Sequence, residues 1–195
     1  MTRKYRIRHP GLTYHIVARG IRQSNLFLDT KDFGHYLYLL TKSKEVYDYD
    51  LHAYCLMSNH IHLLIETFTD DISSIMHRLQ TNYAIYFNSK YKVNGHVFQG
   101  RFYSDPMKDE THFFEVGRYI HLNPVLAEIT ADPADYRWCS ARTYLLPMPE
   151  DQPQHPLLSI SRTLHLFPSP RHDQYRSYLF QRLKDSDLSL PCHPI

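Results

Sequence analysis

Two histidines separated by a single residue are the first pair in this 195-residue sequence whose type and spacing could do chemistry. His60 and His62 lie in an apolar run, residues 60–66, that predicts a β-strand. Side chains alternate across a strand, so the two imidazoles share one face, while Ile61 and Leu63 point the other way, toward the helices and the core. Two imidazoles on one face can place two nitrogens on a divalent metal. An isolated His-x-His pair also fits two surface or hydrogen-bonded histidines on a half-exposed strand.

A polar stripe on a predicted helix supplies candidate partners for the two histidines. The helix is predicted from Glu110 to Asn123, where Pro124 follows. Glu115, Tyr119 and Asn123 recur at every fourth position and therefore line one side of it. The buried side is predicted to consist of Phe113, Val116 and Ile120. Tyr119 could serve as a nucleophile beside a metal ligand one turn on, or it could pack at the edge of the core with its hydroxyl in water.

Hydrophobic periodicity predicts the elements that must position these side chains. Strands are predicted over residues 13–19, 51–57, 60–66 and 97–103, and helices over 29–48, 72–87 and 110–123. The two middle strands form a hairpin around Ser58-Asn59. The order β-α-β-β-α-β-α predicts an α+β fold, a ferredoxin-like split β-α-β with one antiparallel sheet and helices on one face.

Proline use predicts the domain organisation. Eight of the 12 prolines lie after residue 145. The stretch 146–156 cannot sustain a helix or a central strand, so it is predicted to be a linker. We expect a core domain at residues 1–145 and a small helical C-terminal appendage at 157–195, with short amphipathic helices at 157–167 and 174–184.

Composition excludes several classes of protein. No apolar run approaches the ~18 residues needed to cross a bilayer, and the N-terminus lacks the apolar segment of a secretion signal. Three cysteines without a C-x-x-C pair argue against a disulfide framework or a thiolate zinc site. We therefore expect a cytoplasmic protein with no membrane partner. The net charge of +2 leaves nucleic acid open as a partner without indicating it.

Three sequence blocks together resemble a known family. They are residues 51–66 (LHAYCLMSNHIHLLIE), 95–102 (GHVFQGRF) and 118–125 (RYIHLNPV). In order and spacing they closely resemble the REP-associated tyrosine transposases, which belong to the single-tyrosine branch of the HUH single-strand DNA endonucleases. The segments 10–20 and 135–140 also look like this family, so the resemblance extends from about residue 3 to 145.

The resemblance implies a role for each candidate site residue. His60 and His62 fall on the two histidines of the HUH motif, and Tyr119 falls on the nucleophilic tyrosine. Asn123 falls where relatives can place a third metal ligand, often Gln, and Asn reaches one methylene less far. The implied activity is metal-dependent nicking and joining of single-stranded or hairpin DNA through a 5′-phosphotyrosine, with Mg²⁺ or Mn²⁺ as the metal.

The resemblance also implies a setting for this chemistry. The protein would act in the bacterial cytoplasm, associated with the nucleoid, as a monomer or a homodimer. Tyr119 could serve its own site or that of a partner subunit. Phosphate contacts are expected from the basic residues Arg3, Lys4, Arg6, Arg8, Arg101 and Arg118. Phe98 and Phe102 are expected to lie in the core rather than to stack on bases.

Two other functions remain open on the same residues. One is a catalytically silent hairpin-DNA-binding protein, which would bind DNA without regard to metal or to Tyr119. The other is a metal hydrolase in which activated water, rather than Tyr119, attacks the substrate. The complete set of His60, His62 and Tyr119 favours the transposase-like enzyme, because a silent scaffold has no physical need for all three.

Overall fold

A four-stranded antiparallel sheet organises the chain in the computed structural model, which describes residues 11–147 and 157–181. The strands are β1 (Thr13–Arg19), β2 (Tyr49–Leu56), β3 (His60–Thr67) and β4 (Tyr103–Pro106). Their order across the sheet is β2-β3-β1-β4. The split β-α-β arrangement places β1 and β3 side by side in the centre. The predicted α+β class and single antiparallel sheet are confirmed.

Six α-helices accompany the sheet within the described residues. They are α1 (Thr30–Lys44), α2 (Ile72–Tyr91), α3 (Glu110–Leu126), α4 (Ala141–Leu145), α5 (Ser161–Leu164) and α6 (Arg171–Gln181). Each of the three long helices in the first two thirds of the chain begins after an aspartate whose side chain accepts backbone N–H bonds of the first turn, namely Asp29, Asp71 and Asp109. Such caps satisfy N–H groups that lack a partner within the helix. These three aspartates therefore determine where α1, α2 and α3 begin.

Helices cover both faces of the sheet, which corrects the prediction that they lie on one. The first core, which includes Ile16, Ile61 and Leu63, lies on the face covered by α1 and α2. On the opposite face Ala53 and Leu64 pack with residues of α3 in a second core. The prediction failed because β2 and β3 carry apolar side chains on both faces, so neither face can be left in water.

The predicted fourth strand begins later than expected. Residues 97–102 form no strand of their own, and β4 starts only at Tyr103. Gly100 adopts a positive φ of 71°, and the N–H of Gln99 donates to the carbonyl of Arg19. The segment therefore turns across the end of β1 instead of pairing along it. Phe98 and Phe102 are buried, as expected.

Helix α3 continues through Pro124, although the helix was predicted to stop before it. A proline near the end of a helix removes only one hydrogen bond, the one that would have reached the carbonyl of Ile120. The thiol of Cys139 lies 3.8 Å from that carbonyl oxygen and partly replaces the lost donor. As a consequence, Asn123 lies inside the helix, one turn after Tyr119, rather than at a frayed end.

The segment after the proline-rich stretch packs on the second core. Leu164, Tyr175 and Leu179 are buried there, and the Arg162 guanidinium donates to Glu66 on β3. The two predicted helices appear as α5 and α6 with different bounds, and residues 182–184 lie outside the described residues. The division into a domain, a linker at 146–156 and an appendage stays a prediction, because residues 148–156 are also outside. Among the described residues, no helix is long and apolar enough to cross a membrane.

Candidate active site

The His60–His62 pair begins β3 beside the end of β1. In the β1–β3 register His60 lies opposite Arg19 and His62 lies opposite Val17. Residues directly opposite in an antiparallel pair point to the same face, so this face carries both imidazoles and the Arg19 side chain. The two imidazole rings meet edge to face, with 5.0 Å between their centroids. The predicted sharing of one face by His60 and His62 is therefore present.

Hydrogen bonds fix the orientation of the His60 ring. Its Nδ1 lies 2.7 Å from the side-chain oxygen of Asn59. An amide oxygen can only accept, so Nδ1 of His60 carries the proton and Nε2 keeps its lone pair. The Asn123 side chain lies within hydrogen-bonding reach of this ring. Burial lowers the pKa of His60; the Asn123 hydrogen bond opposes this shift, and the charge of Arg19 adds to it.

The His62 ring is more deeply buried, with 4% of the residue exposed. Burial lowers its pKa well below the usual value, and the nearby His15, His60 and Arg19 lower it further. Nδ1 of His62 lies 3.0 Å from Nε2 of His15. Both candidate ligands are thus held as neutral imidazoles, the form that binds metal.

Tyr119 reaches this pair from α3. Its ring packs edge-on against His62, with 5.3 Å between the centroids, and lies 6.2 Å from the ring of His15. The predicted buried side of α3, which includes Phe113 and Ile120, packs in the second core. That packing turns Tyr119, half-buried, toward β3. Asn123 is 7% exposed and sits one turn further along the same side of the helix.

The donor set fits a divalent cation. Two neutral imidazoles and one amide oxygen are ligand types that magnesium-, manganese- or zinc-type ions accept to different degrees. The Asn123 side chain lies within hydrogen-bonding reach of the His60 ring, which places a third donor near the histidine pair. Among residues 11–147 and 157–181, no group of three or more His, Cys, Asp or Glu side chains could hold a metal. Asn123 stays the predicted third ligand.

The loop after β1 closes tightly beside His60. The N–H of Gly20 donates to the carbonyl of Asn59, and a Cβ built on Gly20 would lie 1.9 Å from the carbonyl oxygen of Ser24. No side chain fits there without a shift of the backbone. Gly20 thus ties this loop to the residue that orients His60.

We expect Gly20→Ala to destabilise the protein by about 1–3 kcal/mol, because the loop must move to admit a methyl group. Urea denaturation measures the loss. The matched control is Gly34→Ala in the middle of α1, where a Cβ meets no atom within 4 Å and alanine is the better helix former. Equal stability of the two variants would contradict the steric argument.

The structure separates the predicted phosphate contacts into three groups. Arg101 is exposed in the segment that crosses the end of β1, at the same end of the sheet as His60. The Arg118 side chain is only 9% exposed, and its guanidinium stacks on the Tyr178 ring, 4.5 Å from the centroid. Its predicted DNA contact therefore has little surface available. The other four, Arg3, Lys4, Arg6 and Arg8, lie outside the described residues.

Sequence reasoning missed three residues that shape this site. His15 contacts both His62 and Tyr119, Asn59 orients His60, and the charge of Arg19 acts on both histidines. Asn59 fits the sequence pattern of a turn residue. His15 and Arg19 are separated by an even number of positions in the predicted first strand, so their side chains share a face. The sequence does not reveal that this face is the one that carries the histidine pair.

Comparisons with known proteins identify a family and a similar fold. The model of a family described as "Transposase IS200 like" matches residues 9–123. A solved structure described as a REP-associated tyrosine transposase bound to a REP hairpin has a TM-score of 0.65 at 17% identity, covering 83% of this chain and 96% of that one. A putative transposase from Deinococcus radiodurans has a TM-score of 0.43 at 15% identity, covering 66% and 96%. No curated protein sequence matches.

Proposed function

This chain belongs to the IS200-like transposase family, and from that premise we propose that it nicks and rejoins single-stranded DNA beside a hairpin. The observation that carries the proposal is the packing of the Tyr119 ring against His62, with the Asn123 side chain within hydrogen-bonding reach of the His60 ring. The proposed nucleophile and the three proposed metal ligands thereby lie together at one end of the sheet. A tyrosine hydroxyl beside buried imidazoles supports attack by Tyr119 at a metal site.

Tyr119 is the proposed nucleophile. Its phenol gives up its proton to solvent as the oxygen forms a bond to the scissile phosphorus. The bond from that phosphorus to the 3′ oxygen breaks, and the departing 3′ oxygen takes up a proton from solvent, so no net proton is released. The products are a 5′-phosphotyrosine and a free 3′-hydroxyl. One phosphodiester replaces another, so a second 3′-hydroxyl can reverse the step and join strands without ATP.

His60, His62 and Asn123 are the residues that would hold Mg²⁺ or Mn²⁺. A bound divalent cation supplies charge that offsets the negative phosphate oxygens and orients the phosphate. The chain's own contribution is to keep both imidazoles neutral by burial and to hold the His60 ring through Asn59. These features hold the donors ready before any ion arrives.

DNA is the proposed partner, and two arginines at the end of the sheet that carries His60 are its proposed contacts. Arg19 adds positive charge beside both histidines, and Arg101 is exposed nearby. Basic side chains next to a reaction centre hold the backbone phosphates of a single strand. The related structure with bound REP hairpin supports a hairpin as substrate. The N-terminal group Arg3, Lys4, Arg6 and Arg8 remains a predicted contact.

Mapping of the covalent product tests the proposal. The full-length protein is incubated with Mn²⁺ and an end-labelled hairpin whose single-stranded flank is randomised, so that no target sequence is assumed. We expect a DNA-linked protein band that is lost with EDTA, and a protease peptide carrying the nucleotide on Tyr119. Hairpin binding without any adduct would support a silent DNA-binding protein. Free 5′-phosphate without an adduct would support a water-using hydrolase.

A further inference from the structure

We propose that His15 is a positioning residue, which accepts a hydrogen bond from Nδ1 of His62 and so presents Nε2 of His62 to the metal. This inference rests on the proposed function, because it assumes that His62 is a ligand. It assigns a task to a side chain on β1 that neither the histidine motif nor the nucleophile helix includes.

The contact between the two imidazoles is direct. Nε2 of His15 lies 3.0 Å from Nδ1 of His62, and the two rings are nearly parallel, with 5.2 Å between centroids and 21° between planes. A hydrogen bond between two imidazole nitrogens needs a proton on one and a lone pair on the other. If Nε2 of His62 offers its lone pair to a metal, the proton of this neutral ring must sit on Nδ1. His15 must then be the acceptor.

The neighbouring ligand shows the same arrangement. Nδ1 of His60 bonds to the side-chain oxygen of Asn59 at 2.7 Å. Each candidate ligand thus has a partner at Nδ1, so Nε2 is the nitrogen that each ring would offer to a metal, and on His60 the Asn123 side chain is within reach of the ring. Metal-bound histidines usually donate their second N–H to such a partner, which sets the tautomer and the ring orientation.

The geometry disfavours a direct metal ligand at His15. Its Nε2 is at hydrogen-bond distance from His62, and among the described residues no three His, Cys, Asp or Glu side chains converge as a metal site. In the sheet, His15 lies opposite Leu64, two residue pairs along from the pair that contains His62. A central strand is a rigid support, which suits a residue that orients another.

Metal affinity tests the inference. We expect His15→Leu to weaken Mn²⁺ binding about 10- to 100-fold in calorimetric titration, because the acceptor is lost. His15→Gln, whose amide oxygen reaches a similar point, should restore most of the affinity. The matched control is His35→Leu. The His35 ring stacks on the Tyr86 ring, on the other side of the sheet. It should bind Mn²⁺ as the unaltered protein does.

A second measurement needs no variant at His15. Nitrogen-15 NMR of the metal-free protein should show His62 protonated on Nδ1, and a proton on Nε2 would overturn the inference. Equal weakening in His15→Leu and His15→Gln would indicate a direct ligand and overturn it too. His60→Ala separates the two proposals. If His60→Ala weakens Mn²⁺ binding but His15→Leu does not, only the role of His15 fails, whereas unchanged binding in His60→Ala removes the metal site itself.

Discussion

Tyr119→Phe is expected to lower covalent adduct formation and strand joining by about 10⁴-fold or more, because phenylalanine keeps the ring but lacks the attacking oxygen. The Tyr119 ring packs edge to face against the His62 ring, and phenylalanine preserves this contact. The fold, Mn²⁺ binding and hairpin binding should therefore stay close to those of the unaltered protein. Denaturing gels measure the adduct, and gel shift without cleavage measures binding.

Tyr38→Phe provides the matched control for this substitution. Tyr38 lies on α1 and is 54% exposed, and it belongs to the helix layer on the opposite face from the histidine pair. It removes a hydroxyl of the same kind from a place without proposed chemistry, so activity should be unchanged. An adduct that persists in Tyr119→Phe would assign the nucleophile to another side chain.

A loss of DNA binding in Tyr119→Phe would have a different meaning. It would indicate that the hydroxyl holds the substrate rather than attacks it. The two results are separable because hairpin binding in EDTA does not depend on chemistry. Only the combination of intact binding and lost adduct supports a nucleophile.

Local signals in the sequence predicted much of the fold because several elements are defined by their own residues. The first strand was predicted over 13–19 and forms Thr13–Arg19. The helix α3 starts at Glu110 as predicted, after the cap residue Asp109. Alternation and capping are short-range properties, so they can be read without knowledge of the neighbours.

Elements that depend on distant contacts were predicted less well. Strand β4 is short because it pairs with β1 only from Val17 to Tyr14, and no local pattern encodes that limit. The second layer of helices was missed for the same reason. Cys55 and Leu64 look like ordinary strand residues until α3 is seen to cover them. Pairing and layer order are set by tertiary packing, which overrides local preference.

The candidate site shows the same division. Spacing alone placed His60 and His62 on one face and Tyr119 on one side of α3. The contact of His15 with His62 depends on the register of β1 against β3, in which a slip of one residue would turn His15 to the other face. The burial of Arg118 depends on α6, which supplies Tyr178. Sequence therefore predicted which candidate side chains share a face better than it predicted the neighbours that contact them.

His121→Leu is expected to destabilise the protein by about 1–3 kcal/mol at pH 8, because it removes the partner of the buried Tyr175 hydroxyl. The Ser140 hydroxyl, by contrast, keeps its bonds to the backbone of Tyr54. His121 is 1% exposed. Its Nδ1 lies 2.7 Å from the Tyr175 hydroxyl, and its Nε2 lies 2.8 Å from the Ser140 hydroxyl. It thereby ties α3 to α6 and to the start of α4. Urea denaturation measures the change in the free energy of unfolding.

This loss should shrink as the pH falls. Burial lowers the pKa of His121 to about 3, whereas the pKa of an unfolded histidine is about 6.5. Between these values the unfolded chain binds a proton that the folded protein excludes. The unaltered protein therefore loses about 1.4 kcal/mol of stability per pH unit on this account as the pH falls from about 6.5 toward 3. The leucine variant has no such group, so the two stability curves converge.

The comparison isolates His121 from the other buried histidines. His60 and His62 also have lowered pKa values through burial, but both remain in the variant and cancel in the difference. His77→Leu, at an exposed position on α2, is the matched control for the loss of an imidazole. A gap between the His121→Leu and unaltered curves that stays constant from pH 8 to about 4.5 would contradict the lowered pKa. Convergence would show that α3, which carries both Tyr119 and Asn123, is held in place by a histidine that must stay neutral.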